Sequence, residues 1–547
     1  MNQNHVVLAD GILNRCFEKV RRNFYDRIDA QKHAEVYEGV HDRSYAEPEF
    51  TGKFLDLCAY YYETEKDPRA LEKGMTVVKS IQRNQRADGY LGCLEAGKEL
   101  VAFSVWNHGF TLYGLTRMYE ATGNESILEI ARRGADWILR TYEKVDAPDI
   151  LEASNAGSQN ISCMYAIGRF YLVTKEKKYL KFLENVLRHC ETTDMNLLSF
   201  QSIFDLRSQK GIEMLVVYLG VLQYGHLSGD ATVMEAVHRY WDEIWKTQIR
   251  NTGNGTVEEK WTRNGNAPKL MATEEKPNET CVAVGWIELS LALFHVFQRA
   301  EYLDAVEKTL FNHMIGSLEK SGEDFAYYQG NYGKKIYRTD DGAYQCCRYR
   351  GFTLFTYLKE YLYHYDNGCL TPTVYASSQF GCEDVLVEQS TQYPADGALS
   401  FRIENPNGNL KSLRLRIPVW CEQYAAECDG VKAGREKDGF LWIDVPQGNS
   451  RILVSFEMVM RLERHMIAEK QYATFHYGPL LLAHDTHFGG SLEDGVSEMS
   501  AETLFECSEG LSLVRFRYGD MTLVDFASAG GNAPAKDEYT VFIPMVE

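Results

Sequence analysis

The residues best suited to chemistry stand in two places. Asn278-Glu279-Thr280-Cys281 is followed, sixty-five residues after Cys281, by the pair Cys346-Cys347. Pro277 and Asn278 are helix-start residues, and Val282 to Phe297 reads as the helix they start. Glu279 and Cys281 therefore fall in or just before a first helical turn, where the helix dipole stabilises negative charge and lowers a thiol pKa. Cys346-Cys347 likewise precedes an apolar helical run from Phe352. One carboxylate and three thiolates are four ligands of the kinds zinc accepts, in tetrahedral number. The spacing is not that of a standard zinc module, because no Cys-x-x-Cys occurs. Buried free cysteines are the plain alternative. A vicinal disulfide is a second, strained one.

The other place is the loop from Thr252 to Pro277, rich in Gly and Asn and lying between two helices. Long loops inside compact domains are usually functional. Glu258 and Glu259 sit there beside Trp261. A carboxyl packed against an indole has its pKa raised by desolvation, which suits a general acid. A solvated charge pair on a loop is the alternative.

The elements that must position these residues repeat. Helix-period segments such as Phe54 to Tyr62, Leu112 to Glu120, Met164 to Leu172, Leu215 to Gly225 and Trp286 to Val296 each end at a short polar turn, and a second helix follows. Five visible pairs, with a sixth from flanking helices, predict an (α/α)6 toroid over residues 1–367. An open solenoid is the alternative. After residue 368 the period changes to two, as in Leu399 to Glu404, Leu441 to Val445, Ile452 to Glu463, Tyr472 to Tyr477 and Leu513 to Tyr518. Residues 368–547 therefore read as an antiparallel β-sandwich, with a tail that completes a second small sheet. The fold class expected is mainly α with a β domain.

Composition narrows the partners. The 547 residues carry 58 Lys and Arg against 77 Asp and Glu, a formal charge of −19. Such a surface argues against nucleic acid and against an anionic membrane. No apolar block marks a secretory signal, and no uncharged apolar stretch approaches 18 residues. Thirteen cysteines, an odd number spread along the chain, read as reduced thiols in a cytoplasm. The 34 Tyr, 26 Phe and 8 Trp are mostly core, but they also suit stacking on sugar rings.

The ordered set resembles the glycoside hydrolase family 127 and 146 superfamily, whose founding members are bacterial β-L-arabinofuranosidases. Pro48-Glu-Phe-Thr-Gly-Lys53 with Asp88-Gly-Tyr-Leu-Gly92 is similar to the family's N-terminal signature, Glu279-Thr-Cys-Val-Ala-Val-Gly-Trp286 to its Glu-Thr-Cys motif, and Cys346-Cys347 to its cysteine pair. Tyr477-Gly-Pro-Leu-Leu-Leu-Ala483 resembles a strand of its sandwich. The resemblance implies a zinc ion held by Glu279, Cys281, Cys346 and Cys347. It implies that Cys346 is the nucleophile and that a glutamate upstream of Glu-Thr-Cys is the acid/base, best matched by Glu259 with Glu258 as the fallback. Retention would then run through a thioglycosyl intermediate, with Glu259 protonating the leaving oxygen and afterwards activating water.

The chain also departs from that pattern. Where founder-like members carry pocket histidines, it reads Trp106-Asn107-His108, Ser158-Gln159-Asn160 and Lys210-Gly211-Ile212-Glu213. Tyr344 precedes the cysteine pair where some members have a further cysteine. Trp106, His108, Gln159, Tyr327, Tyr328 and Gln329 are candidate sugar contacts, with core packing the alternative for each. Arg348 and Arg350 would suit an acidic sugar, or a plain helix start.

The expectation is a cytoplasmic, zinc-dependent, retaining exo-glycosidase. Its substrate would be an oligosaccharide or glycoside ending in a furanoside, β-L-arabinofuranose or a relative. The rivals are a sugar epimerase or unsaturated-uronide hydrolase on the same toroid, and a non-catalytic carbohydrate-binding protein with a structural zinc site. The acidic sandwich domain could dimerise, so a homodimer stays open.

Overall fold

The structure is a computed structural model that describes residues 5–40, 47–100, 104–144, 151, 154–337, 346–496, 513–518, 521–530 and 538–546. Twelve of its helices build a closed ring. The inner six are α2 (Glu47–Glu65), α4 (Ser104–Thr122), α6 (Cys163–Thr174), α8 (Gly211–Ser228), α10 (Thr280–Phe297) and α12 (Cys346–Thr356). Each packs on the next, and α12 packs back on α2, which closes the toroid. Their outer partners are α3 (Pro68–Asn84), α5 (Glu125–Lys144), α7 (Lys177–Cys190), α9 (Ala231–Thr247) and α11 (Ala300–Lys308). The sixth outer helix is α1 (Ile12–Asp26), which packs on α12. The first helix of the chain thus completes the last pair.

Local chemistry sets these elements. Asp67 caps α3 by accepting from the Arg69 amide, with Pro68 at the first helical position. Asp230 caps α9 through the Thr232 and Val233 amides, and Gly229 before it ends α8 in the left-handed conformation. The outer helices are amphipathic: α9 buries Val233, Ala236, Val237, Tyr240, Trp241 and Ile244 at helical spacing. The inner ones are buried almost all round, as α8 is from Gly211 to Leu222. Helix α10 is long and apolar enough to cross a bilayer, but it is a core helix of this ring.

Inner helices α2 and α4 approach most closely through glycine. A β-carbon on Gly52 would lie 2.2 Å from the Phe110 carbonyl oxygen, and one on Gly114 would lie 2.3 Å from the Gly52 carbonyl oxygen. Backbone cannot yield as a side-chain tip does. Gly52→Ala is therefore expected to cost about 1–3 kcal/mol of overpacking, read as a lower denaturant midpoint.

The β region differs from expectation in its borders. A seven-stranded sheet runs His5–Leu8, Ser378–Cys382, Val385–Thr391, Ala398–Asn405, Gly448–Phe456, Tyr424–Cys428, Val431–Lys432. The N-terminal strand thus belongs to the sandwich, although the ring separates it in sequence from its partner Ser378–Cys382. A five-stranded sheet runs Arg435–Lys437, Phe440–Asp444, Ser412–Arg416, Cys369–Pro372, Tyr363–Asp366. Its strand Tyr363–Asp366 starts before the expected boundary at 368. Its pairing of Cys369–Pro372 with Ser412–Arg416 is parallel, so the sandwich is not wholly antiparallel. Alternating burial along the neighbouring strands Ala398–Asn405 and Gly448–Phe456 gives the seven-stranded sheet one apolar face.

A third sheet forms from Met460–Ile467, Lys470–Tyr477, Leu480–Asp485, Arg515–Tyr518 and Met521–Asp525. The tail strand Tyr539–Thr540 joins it and also pairs with Tyr332–Gly333 of the helical region. The described part of the tail therefore completes a sheet and clasps the loop that follows Gln329.

Candidate active site and metal centre

Because each inner helix is followed by an antiparallel outer one, all six inner helices point the same way. Their N-termini share one end of the ring, and that end holds the reactive residues. Glu279 is the N-cap of α10, Cys281 lies in its first turn, and Cys346 and Cys347 open α12. The candidate ligand atoms of Glu279, Cys281, Cys346 and Cys347 all lie within 4.8 Å of one another.

The approach to α10 is held from behind. Asn278 has φ +55 and is fully buried. Arg250 donates to its side-chain oxygen at 2.9 Å, and its amide group donates to the Gln329 carbonyl at 2.9 Å. Asn254 donates to the Glu279 carbonyl at 2.7 Å, and Thr280 Oγ1 donates to the Ala326 carbonyl at 2.7 Å. These bonds fix where Glu279 and Cys281 emerge.

The cluster has the dimensions of a metal site. A tetrahedron of zinc ligands with bonds of about 2.3 Å has edges of about 3.8 Å. Cys346 Sγ lies 3.9 Å from Cys347 Sγ and 3.9 Å from Glu279 Oε1, and Cys347 Sγ lies 3.8 Å from Glu279 Oε1. Glu279 is 1% exposed and its Oε2 has no hydrogen-bond partner. Burial pushes the Glu279, Cys281 and Cys347 groups up, whereas hydrogen bonds from Cys281 and Cys347 pull Cys346 down. Four potential anions packed together without a cation are unfavourable, so the donor set fits a soft divalent ion. Of the four, only Cys346 is not fully buried.

Two adjacent tyrosines link this cluster to the upstream loop. Tyr327 Oη lies 3.3 Å from Cys346 Sγ, and Tyr328 donates to Glu259 Oε1 at 2.5 Å. Their ring centroids are 4.6 Å apart. Glu258 and Glu259 form the tip of a two-residue hairpin, closed by mutual hydrogen bonds between Val257 and Lys260. Both have positive φ, +47 and +65, the signature of a type I′ turn usually built from Asn and Gly. Strained carboxylates at a turn tip are characteristic of functional loops. The turn sends the two side chains apart: Glu258 is exposed, whereas Glu259 pairs with Lys210 and Tyr328.

Four readings from sequence need correction. The Trp261 indole N–H is not turned to Glu259; the ring is buried and donates to Tyr240 Oη at 3.1 Å. The polar partners of Glu259 are the Lys210 ammonium and the Tyr328 phenol. His108 is no free sugar contact, because the Leu91 amide meets its Nδ1 at 3.1 Å and its Nε2 meets the Gly134 carbonyl at 2.9 Å. Gln329 turns into the core, where its amide donates to the His313 carbonyl and its Oε1 faces Gly316. Arg350 is not free for an acidic sugar; it is buried and paired with Glu288 at 2.5 Å.

The other candidates are placed as follows. Trp106 is 3% exposed and lies beside Glu49, which pairs with Lys53 in a buried ion pair. Burial pushes the Glu49 carboxyl up and Lys53 opposes it. Gln159 is buried and donates to Glu213 at 3.1 Å. Tyr344 lies outside the described residues.

Lys210 and Glu213 belong to the site; the resemblance marks their stretch as one where founder-like members carry pocket histidines, but gives neither residue a role. Lys210 precedes α8, and Glu213 lies in its first turn. Burial works against the Lys210 charge, yet Glu213 and Glu259 outweigh it and hold its pKa above the lysine range. Burial pushes Glu213 up to about 7 against the pull of Lys210. The signal that could have found them is position: polar residues in the first turn of an inner helix.

Comparison with known proteins follows the same lines. The profile of the family described as beta-L-arabinofuranosidase, GH127 catalytic domain, matches residues 2–360, and that of the GH127 middle domain matches residues 370–458. The non-reducing end beta-L-arabinofuranosidase of Bifidobacterium longum subsp. longum is 24% identical over 475 residues, which cover 75% of this chain and 71% of that protein. The structure of a GH127 beta-L-arabinofuranosidase from Geobacillus stearothermophilus T6 matches with a TM-score of 0.78 at 18% identity, over 99% of this chain and 100% of that one. A second GH127 beta-arabinofuranosidase structure gives 0.78 at 19% identity, over 99% and 96%. At these identities the structural likeness establishes the toroid-and-sandwich fold.

Proposed function

The chain belongs to glycoside hydrolase family 127, and on that premise we propose that it is a retaining exo-glycosidase that releases a terminal furanose, β-L-arabinofuranose or a close relative, from short oligosaccharides. The observation that carries the proposal is the pairing of two reactive groups with two adjacent tyrosines. Cys346, the one cluster cysteine not fully buried, meets Tyr327, and Glu259 meets Tyr328.

In this reading Cys346 is the nucleophile and Glu259 the acid/base. Cys346 Sγ attacks the anomeric carbon as Glu259 gives a proton to the leaving oxygen. Glu259 then takes a proton from water, which releases the sugar from sulfur with its configuration retained. Tyr327 orients the Cys346 sulfur, and Lys210 and Tyr328 hold the Glu259 carboxyl in place. Glu279, Cys281, Cys346 and Cys347 would hold a zinc ion, which supplies a deprotonated Cys346 at neutral pH. Three reactive thiols in one cluster call for a reducing compartment, so we place the enzyme in the cytoplasm, acting on imported oligosaccharides.

The test is the metal content of freshly reduced protein, measured beside hydrolysis of p-nitrophenyl furanosides and pyranosides. About one zinc per chain with cleavage of a furanoside is expected. Chelation should remove both the metal and the activity. Folded, reduced protein that binds no zinc would overturn the thiolate mechanism. Zinc with cleavage of pyranosides alone would overturn the sugar assignment.

A further inference from the structure

Next to Glu259 lies a polar site that neither the metal cluster nor the acid/base uses. Glu213 is 2% exposed, and its Oε1 accepts from Asn155 Nδ2 at 2.8 Å and Gln159 Nε2 at 3.1 Å. Its Oε2 has no partner among the described residues, nor does Gln159 Oε1. Gln159 is itself 0% exposed. Two buried acceptors left open side by side are costly, so such a place is built for a ligand that brings donors. The turn that delivers Asn155 is itself unusual: Asn155, Ala156 and Gly157 all have positive φ, at +52, +55 and +84.

Charge says which donors. Glu213, Glu259 and Glu279 face a single ammonium, Lys210. Among the described residues Lys210 pairs with Glu259, Lys53 with Glu49 and Arg350 with Glu288, while Arg348, after the cysteine pair, lies over the Phe352 ring. A sugar carboxylate placed against Glu213 would meet a carboxylate beside Glu259 and an ammonium that Glu259 already pairs, whereas hydroxyls would meet two open acceptors.

We propose that Glu213, with Gln159 beside it, is the sugar-selecting residue of this chain: Glu213 Oε2 and Gln159 Oε1 accept two hydroxyl protons of a neutral sugar and exclude uronic acids. The proposal deepens the glycosidase reading, since it concerns the same end of the ring, but it is a statement about binding. The Glu213→Gln change turns the open acceptor into a donor at nearly constant shape. Gln159→Leu removes the second acceptor.

Calorimetric titration of the full metal-loaded chain with L-arabinose, D-galactose, L-rhamnose and D-galacturonate tests it. Wild type should bind at least one neutral sugar and not the uronate. Glu213→Gln should weaken that sugar about 10- to 100-fold, the cost of leaving a buried hydroxyl facing a donor instead of an acceptor. Monodeoxy analogues separate contact from scaffold. One of them should bind wild type weakly and be weakened no further by Glu213→Gln, because the lost hydroxyl and the lost acceptor are the same bond. Zinc content should be unchanged in both variants. Unweakened binding by both Glu213→Gln and Gln159→Leu would overturn the proposal. So would uronate binding as tight as that of the neutral sugars, or no neutral sugar bound by wild type. Sugar binding without hydrolysis would instead overturn the glycosidase reading and leave this one standing.

Discussion

Glu259→Gln is expected to lower kcat/KM about 10³-fold on substrates with a poor leaving group, within the range that general acid–base catalysis supplies. The amide keeps the shape of the side chain and can still meet Tyr328, so the turn should hold. It cannot give or take the proton. The loss should depend on the leaving group. A dinitrophenolate leaves without protonation, so attack by Cys346 would survive while water activation would not. The signature is then a burst of phenolate close to one per site, followed by slow turnover with a lowered KM. Glu258→Gln is the control. Glu258 is exposed at the tip of the same turn, and its replacement should leave the rate near wild type. Equal losses in both variants would mean that the turn, not the carboxyl, matters.

Much of this site is legible in sequence because its residues are of reactive types at marked places. Glu279, Cys281, Cys346 and Cys347 stand out as thiols and a carboxylate at two helix starts, and those starts converge. The helix pairs are legible from their turns, since Asp67-Pro68 and Gly229-Asp230 stop one helix and cap the next. Other features depend on long-range geometry. Nothing local says that α1 packs on α12, or that His5–Leu8 pairs with a strand some 370 residues later. By residue type Lys210 and Glu213 look like ordinary residues flanking a helix start, and only the resemblance marks their stretch as one that lines a pocket. They become part of the site only because the ring places the start of α8 beside that of α10. His108 and Gln329 fail as sugar contacts for the converse reason. Their types suit a ligand, but backbone groups of neighbouring segments already use them.

One architectural fact joins these cases. A ring of alternating inner and outer helices puts six helix N-termini at one end, and each N-terminus favours negative charge. Glu49, Glu213 and Glu279 all lie at or near the first turns of inner helices. Burial drives all three toward their neutral forms. Lys53 opposes this at Glu49, and Lys210 opposes it at both Glu213 and Glu279. Glu279 differs from Glu213 in having the Cys346 and Cys347 sulfurs beside its Oε1, so it is the carboxyl placed to share a further cation.

Arg416→Met is expected to cost about 3–5 kcal/mol of stability, the typical effect of breaking a buried ion network from one side. Arg416 is 1% exposed at the end of sandwich strand Ser412–Arg416. It pairs with Asp304 at 2.6 Å and with Glu307, both on α11 of the ring. Trp420 and Tyr393 of the sandwich also donate to Glu307, so the network fastens one domain to the other. Removing the guanidinium leaves two carboxylates buried without a cation. Burial already pushes Asp304 up to about 6 with Arg416 opposing it, and without Arg416 it must rise further. The sign of the pH dependence follows. A carboxyl whose folded pKa lies above its unfolded value, near 4, carries no cost below the unfolded value and its full cost above the folded one. The deficit of Arg416→Met should therefore be largest at neutral pH and shrink as the pH falls toward 4. Replacing all three groups, as Arg416→Met with Asp304→Leu and Glu307→Leu, should recover much of the loss, because no uncompensated charge remains. Urea midpoints at pH 7 and pH 4.5 test both points. A deficit independent of pH, or a triple variant no better than the single, would mean that lost packing of the arginine stem dominates. At temperatures where the single variant stays folded, its kcat/KM should match wild type, because the network holds the sandwich to the ring and touches none of the residues at the helix starts.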